Sequence, residues 1–325
     1  MTTLSVVVPA TDSPPTLPRC LAALAASDDR ADEVVVVDGP ATLSAAAARN
    51  AGVERSRGDV VVFVDADVVV HPDALGRLRA AFTADPDLAA AYGSYDDAPG
   101  DQATVSAFRN LLHHYVHQAA AGPAETFWTG IGAVRRADFQ AVGGFDERRY
   151  PHPSVEDIEL GHRLAARGTR IVLDPAVQGT HLKAWTLRSM LWTDFARRGV
   201  PWVALQARTG KVSSALNCGW RHRLSALACL LVVAFGVGGM VVQATVAGAV
   251  LVALNRSFYS LLLRRQGPAR AAVGVLLHGL HHIVSVAAVP VGLAVASVAW
   301  ATSVGHPVVE RAGVEPAPAG GGTTR

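Results

Sequence analysis

Five bulky apolar residues, Val60-Val61-Val62-Phe63-Val64, run directly into Asp65-Ala66-Asp67. A β-branched run of that length reads as a strand buried on both faces, and such strands belong to sheets covered by helices. Residues i and i+2 of an extended segment project to the same side, so Asp65 and Asp67 face one small volume at the carboxyl end of the strand. Two like charges held that close require a cation. Hard oxygen ligands suit Mg2+ or Mn2+, and Mg2+ usually takes one or two protein carboxylates and fills its other positions with water and substrate phosphates. The pair reads as a metal-diphosphate site; the simpler rival is a strand running into a polar turn.

The surrounding segments repeat the pattern. Leu4 to Val8 reads as a strand, Leu17 to Ala26 as a helix, Glu33 to Val37 as a strand and Leu43 to Glu54 as a helix. After Val60 to Val64 a further helix is expected from Pro72 to about Phe82. Strands alternating with helices predict parallel strands joined by right-handed crossovers. Ligands of such sheets bind outside the carboxyl strand ends. Three successive ends carry acids here: Asp12, Asp38, and Asp65 with Asp67. No Gly-x-Gly-x-x-Gly follows the first strand and no Walker lysine loop occurs, which leaves a dehydrogenase or P-loop reading without support.

Further along, Thr104 to Ala120 has a helical apolar pattern, followed by Phe127-Trp128-Thr129-Gly130 and a short strand near Ala133-Val134. Glu156 to Arg167 reads as an amphipathic helix after the turn Gly143-Gly144-Phe145-Asp146. Arg170 to Leu173 and Val177 to Thr180 look like two strands, the second ending at His181. His113, His114 and His117, and again His278, His281 and His282, are expected on polar helix faces.

No Asp, Glu, Lys or Arg occurs from Leu224 to Asn255 or from Ala271 to Val309, and each stretch exceeds the roughly 20 residues that cross a bilayer. The expected organisation is a catalytic domain over 1–210, a basic linker over 211–223, a membrane region over 224–304 with two or three crossings, and a disordered tail over 305–325. The crossings read as a hairpin turning near Gly236–Gly239 and returning by Leu263, then a span from about Ile283 to Val304. Arg221, Arg223, Arg264, Arg265 and Arg270 flank the apolar stretches and, by the positive-inside rule, predict a multi-pass membrane protein whose first domain is cytoplasmic. The amino terminus lacks the basic and apolar regions of a signal peptide. Cys20, Cys218 and Cys229 have no metal-ligand spacing and suit a reducing compartment. A formal charge of +2 is too small to suggest a nucleic-acid partner.

The segments Val6-Val7-Val8-Pro9, Glu33 to Gly39, Arg49-Asn50-Ala51-Gly52, Asp65-Ala66-Asp67, Gly143 to Glu147 and Glu156 to Leu160, in this order, resemble the inverting family 2 glycosyltransferases. The stretch His181 to Leu187 is similar to that of membrane-bound members with a carboxyl-terminal apolar region. The resemblance covers about Leu4 to Trp202. It implies the GT-A fold, an α/β architecture with a mostly parallel sheet and flanking helices, here followed by an α-helical membrane region. It also implies a nucleotide-sugar donor, a saccharide or polyprenyl-linked acceptor, membrane lipid as a partner, and Mg2+ or Mn2+.

Residue by residue, the resemblance makes Asp157, paired with Glu156, the general base. It places Asp38 and Asp65 on the donor; Pro9, Ala10, Asp12, Arg49 and Asn50 are further donor-contact candidates, and Trp128, Thr129 and Gly130 are acceptor-contact candidates, although Trp128 also reads as a core-filling ring. Asp67 and Asp65, joined by His181, become the metal ligands. Each role has a rival. Ser154-x-x-Asp157 also reads as a capping box, Asp38 as a turn former, Arg49 and Asn50 as braces of a helix end, and His181 as a core histidine. Lys183, Arg197 and Arg198 suit either a diphosphate or lipid headgroups. Two other functions stay open: a processive polysaccharide synthase, whose Gln-x-x-Arg-Trp is replaced by Thr193 to Gly199, and an inactive nucleotide-sugar-binding scaffold.

Overall fold

The computed structural model describes residues 2–304, with side chains to residue 298. The tail expected to be disordered, 305–325, lies outside the described residues. In chain order the elements are β1 (Leu4–Pro9), α1 (Leu17–Ala25), β2 (Glu33–Val37), α2 (Ala45–Arg55), β3 (Val60–Val64), β4 (Val68–Val70), α3 (Ala74–Ala84) and β5 (Leu88–Tyr95). There follow α4 (Thr104–Ala119), β6 (Gly122–Pro123), β7 (Ile131–Arg135), α5 (Arg136–Ala141), α6 (Glu156–Ala166) and β8 (Arg170–His181). A helical region closes the chain: α7 (Leu187–Trp192), a π-helical turn (Thr193–Gly199), α8 (Val200–Thr209), a 3-10 turn (Leu216–Cys218), α9 (Trp220–Val237), α10 (Val241–Leu254) and α11 (Arg256–Val304).

The strands form one eight-stranded sheet in the order β2-β1-β3-β7-β5-β8-β4, with β6 paired to β8. β2, β1 and β3 are parallel, as their crossovers require, and so are β5 and β8. The sheet is nevertheless mixed, because β7 enters antiparallel between β3 and β5, and β4 pairs antiparallel with β8.

Side-chain alternation divides the core in two. Val6, Val8, Val60, Val62 and Val64 meet Leu75, Leu78 and Phe82 of α3 on one face. Val7, Val61 and Phe63 meet Phe139, Phe145, Leu160 and Leu164 on the other. Phe63 contacts the rings of Phe127, Phe139 and Phe145 at 6.3, 5.8 and 5.3 Å. Truncating so enclosed an aromatic costs about 3–5 kcal/mol, so β3 and the acids at its end are held in a rigid frame.

Three strands were not legible in the sequence, the short β4 and β6 and the long β5. The eight residues of β5, Leu-Ala-Ala-Ala-Tyr-Gly-Ser-Tyr, are all buried. Small residues weaken the strand signal, but packing demands them: a Cβ on Gly93 would stand 2.1 Å from the Val177 carbonyl oxygen. The two expected strands after α6 are one, β8, whose pairing with β5 shifts register between Tyr92 and Ser94.

Helices α9 and α11 (Arg256–Val298) are long and apolar enough to cross a membrane. The hairpin turns at Gly238-Gly239, as expected, but its return leg α10 ends at Asn255, whose side-chain amide donates to Ser225 Oγ and to the Leu251 carbonyl. α11 is kinked at Gly267, φ 74°, before Pro268. Its first part packs on α4 through Phe108, Leu111, Phe258 and Leu262, and Arg265 pairs with Asp97.

Candidate active site

The carboxyl end of β3 is tied to the start of α6 by one guanidinium. Arg49 of α2 donates from Nη2 to Asp65 Oδ1 at 2.8 Å and from Nη1 to Glu156 Oε1 at 3.0 Å. It is buried, and although burial works against its charge, Asp65 and Glu156 outweigh that and keep its pKa above the usual range. Glu156 is fully occupied, since its Oε2 accepts the Ser154 amide at 2.7 Å. Asp157, the next residue, has an oxygen held by its neighbour's amide, Ile158 N–H, at 2.8 Å. Burial and the charge of Glu156 push the Asp157 carboxyl up to about 7, partly offset by Arg49 and Arg198. A carboxylate that titrates near neutrality is suited to accept a proton.

The capping-box reading of Ser154 is not what is found. The N-cap of α6 is Val155, without a side-chain cap. Ser154 Oγ instead donates to the Arg197 carbonyl at 2.9 Å. Asn50 makes the contacts of a brace: its amide donates to the Phe145 carbonyl at 2.9 Å and accepts the Phe145 amide at 2.9 Å. The same turn is clamped from α6 by Arg163, which donates to the Gly144 carbonyl at 2.7 Å. Gly144 has φ 69°, where a side chain is strained, and a Cβ there would meet Asn50 Oδ1 at 2.8 Å. The Gly143-Gly144-Phe145 turn is thus a strut that fixes α6 against α2.

Two residues beyond Asp65, Asp67 Oδ2 stands 3.5 Å from His181 Nε2. Val68 is the register partner of His181 in the β4–β8 ladder, and the Leu182 amide donates to the Asp67 carbonyl at 2.8 Å. Burial raises the Asp67 pKa, but the His181 hydrogen bond and the charges of His181 and Lys183 outweigh it, leaving a readily ionised carboxyl. Adjacent ligands of one octahedral ion with bonds of about 2.1 Å stand roughly 3 Å apart, so this pair suits two corners of one divalent cation. Among the described residues no three His, Cys, Asp or Glu side chains are arranged to hold a metal by themselves. An ion here would need phosphate and water to complete its shell, which is how Mg2+ is usually bound.

The imidazole of His181 stacks on Tyr95, centroids 4.1 Å apart and 9° from parallel. Tyr95 continues to His113 at 4.4 Å and Trp128 at 4.9 Å, and His113 to His117 at 4.0 Å. The α4 histidines are therefore not a polar face. His114 and His117 bond the Tyr95 and Gly93 carbonyls at 2.8 and 2.9 Å, and burial drives the His113 pKa well below its ordinary value. His278, His281 and His282 are buried as well. Trp128 is half-buried over Gly130, whose carbonyl accepts the Asp65 amide at 3.3 Å; Thr129 is buried and Phe127 lies in the core.

Among the remaining candidates, Ala10 is buried with its amide on the Val37 carbonyl at 2.8 Å, and Pro9 ends β1. Asp12 and Asp38 are exposed just past β1 and β2. Lys183 Nζ lies 4.6 Å from the Trp185 ring centroid. Sequence reasoning gave no sign of Tyr95, and it left Arg49 undecided between brace and ligand. The open hollow of about 610 Å3 at the far ends of β1 and β3 is a different place, and its Arg135 and Arg136 are committed to backbone carbonyls.

The model of the Glycosyl transferase family 2 matches residues 40–143, which hold Arg49, Asp65, Asp67 and Trp128 but not Asp157 or His181. No curated protein matches the chain. Among solved structures, a mannosyltransferase from Pyrobaculum calidifontis is similar at 15% identity with a TM-score of 0.53, over 90% of this chain and 87% of that one. A glucosyl-3-phosphoglycerate synthase from Mycobacterium tuberculosis is similar at 17% identity and a TM-score of 0.43, over 66% and 82%. The chain carries a glycosyltransferase family 2 domain, and its α/β part has the GT-A-like fold.

Proposed function

We propose that this chain, whose family 2 domain makes it a glycosyltransferase, moves a sugar with inversion from a nucleotide-sugar donor to a saccharide or polyprenyl-linked acceptor at the cytoplasmic face of a membrane. The observation that carries the reading is the Asp65–Arg49–Glu156 ion chain, which ties Asp157, next to Glu156, to the β3 end bearing Asp67, and burial raises the Asp157 carboxyl in support. The similar mannosyltransferase was solved with GDP-Man and Mn2+, which supports a donor and a divalent cation of the same classes.

When bound, the cation would neutralise charge developing on the departing diphosphate. Asp67 and His181 would hold it, with Asp65 oriented by Arg49 alongside. Pro9, Ala10, Asp12 and Asp38 border the region open to the nucleotide. On the other side of the sugar, Asp157 takes the proton of the acceptor hydroxyl as its oxygen bonds to the anomeric carbon and the bond to diphosphate breaks. Attack opposite the leaving group inverts that carbon. Glu156 has both oxygens in use and acts by holding Arg49 and the Ser154 loop. Trp128, over Gly130 and beside Thr129, offers a flat face to an acceptor sugar.

The membrane placement rests on α9 and α11, on exposed apolar residues such as Leu227, Leu230, Val242, Val246 and Val250, and on the arginines at the helix ends. On this reading the catalytic domain is 1–210 and the membrane region 224–304. Incubating the full chain in detergent with UDP-, GDP- and dTDP-sugars, with and without Mn2+, tests the function through release of nucleoside diphosphate. Release of none from any donor would refute it, and a product with the donor's anomeric configuration would refute inversion.

A further inference from the structure

The π-helical turn Thr193–Gly199 sits between α7 and α8, where the processive synthases would carry their motif. Wide helical turns of this kind are uncommon and frequently mark functional sites. Its first turn holds Asp194, whose carboxylate is almost fully buried and pairs with Arg109 of α4 and His281 Nδ1 of α11, both at 2.8 Å. Its last turn supplies the Arg197 carbonyl to Ser154 Oγ at 2.9 Å. From Ser154 the bonds continue to Glu156, then Arg49, then Asp65.

The turn also lies flush against α11. A Cβ on Gly199 would stand 2.7 Å from the Ala288 Cβ, and one on Gly292 would stand 2.6 Å from the Val203 Cβ. Gly199 against Ala288, and Gly292 against Val203 of α8, let the backbones approach this closely.

We infer that Asp194 is a positioning residue for the transfer reaction: through His281 it ties the turn 193–199 to the apolar helix α11, and through the Arg197 carbonyl and Ser154 that turn holds the Glu156–Asp157 corner in place. The inference rests on the glycosyltransferase reading for what the corner does, but the mechanical link stands on the contacts alone. Arg198, exposed on the same turn, adds an electrostatic consequence. Its charge acts on Asp157 in the same sense as that of Arg49, favouring the ionised base against burial and Glu156. Loosening the turn would weaken that influence, so the base would become harder to ionise.

The anchor can be cut at either end without removing the buried Asp194 itself. His281→Ala removes the bond to α11, His281→Gln keeps an N–H for Asp194, and Ser154→Ala cuts the link to the Arg197 carbonyl. In the full chain in detergent, His281→Ala and Ser154→Ala should each lower kcat by on the order of 10- to 100-fold, the cost of a small misplacement, with donor KM little changed. Each should also move the acid limb of the pH–rate profile to higher pH, and His281→Gln should restore both. Amide exchange in His281→Ala should quicken over residues 193–199 and 154–157 together. Unchanged kcat and acid limb, or exchange that quickens at 193–199 but not at 154–157, would overturn the inference. Wild-type protein that transfers no sugar would instead refute the enzyme reading, and the exchange measurement would still decide the link.

Discussion

Asp67 and His181 face each other at 3.5 Å although they lie far apart in the sequence, because β4 runs antiparallel to the last residues of β8. The aspartate is the third residue after β3, and the histidine is held flat by the Tyr95 ring. A carboxylate and an imidazole so fixed leave little freedom to lose when an ion binds between them.

His181→Ala should therefore weaken the metal more than the nucleotide. Loss of even an outer-shell partner costs roughly 10–100-fold in metal affinity, and loss of a ligand should cost at least that. Titrating activity and direct Mn2+ binding against metal concentration checks this. An unshifted Mn2+ requirement would return His181 to the role of a packing residue.

Asp157→Asn should abolish most transfer while leaving the fold intact. Its folded pKa, pushed up to about 7, lies above the ordinary 3.8, so its contribution to stability is complete below about 3.8 and is lost as pH rises through about 7. Asn carries no such dependence. The variant's melting temperature relative to wild type should rise between pH 4 and pH 7, and the wild-type rate should climb over the upper part of that window as the base ionises. A flat difference in melting temperature across that window would show that the carboxyl is not raised.

Arg49→Met should be costly for a different reason. It leaves Asp65 and Glu156 without their shared buried cation, and breaking a buried pair costs about 3–5 kcal/mol. Chemical denaturation measures this, and a loss below about 1 kcal/mol, the range of a surface pair, would contradict the burial of the ion chain.

The β-α-β order of the first domain and the acids at its strand ends were legible because β-branched runs and their terminal aspartates are local signals. Asp65, Asp67 and Glu156-Asp157 could be picked out from the residues and from the family resemblance together. Tyr95 was not legible, since it closes a strand of alanine, glycine and serine whose smallness answers to packing on both faces. The histidines of α4 misled for the opposite reason. Their polarity suggests water, but in the fold His114 and His117 bond the carbonyls of β5 and the ring of His113 packs on Tyr95 and Trp128. Likewise Ser154 looked like a cap three residues before an acid, and its actual partner, the Arg197 carbonyl, depends on a tertiary contact that no spacing encodes.

Trp128 and Gly130 supply the last test, on the acceptor side. A Cβ on Gly130 would fall 2.0 Å from the Trp128 ring, so Gly130→Ala must push the indole out of its contacts with Tyr95, His113 and His117. Overpacking of this sort costs typically about 1–3 kcal/mol. Trp128→Ala removes the obstacle, so the double variant should be no less stable than Trp128→Ala alone, a clear failure of additivity between neighbours. If Trp128 also carries the acceptor, Gly130→Ala should raise acceptor KM while donor KM holds. Stability losses that simply add would mean that the ring does not lie over Gly130, and an unchanged acceptor KM would take Trp128 out of the acceptor site.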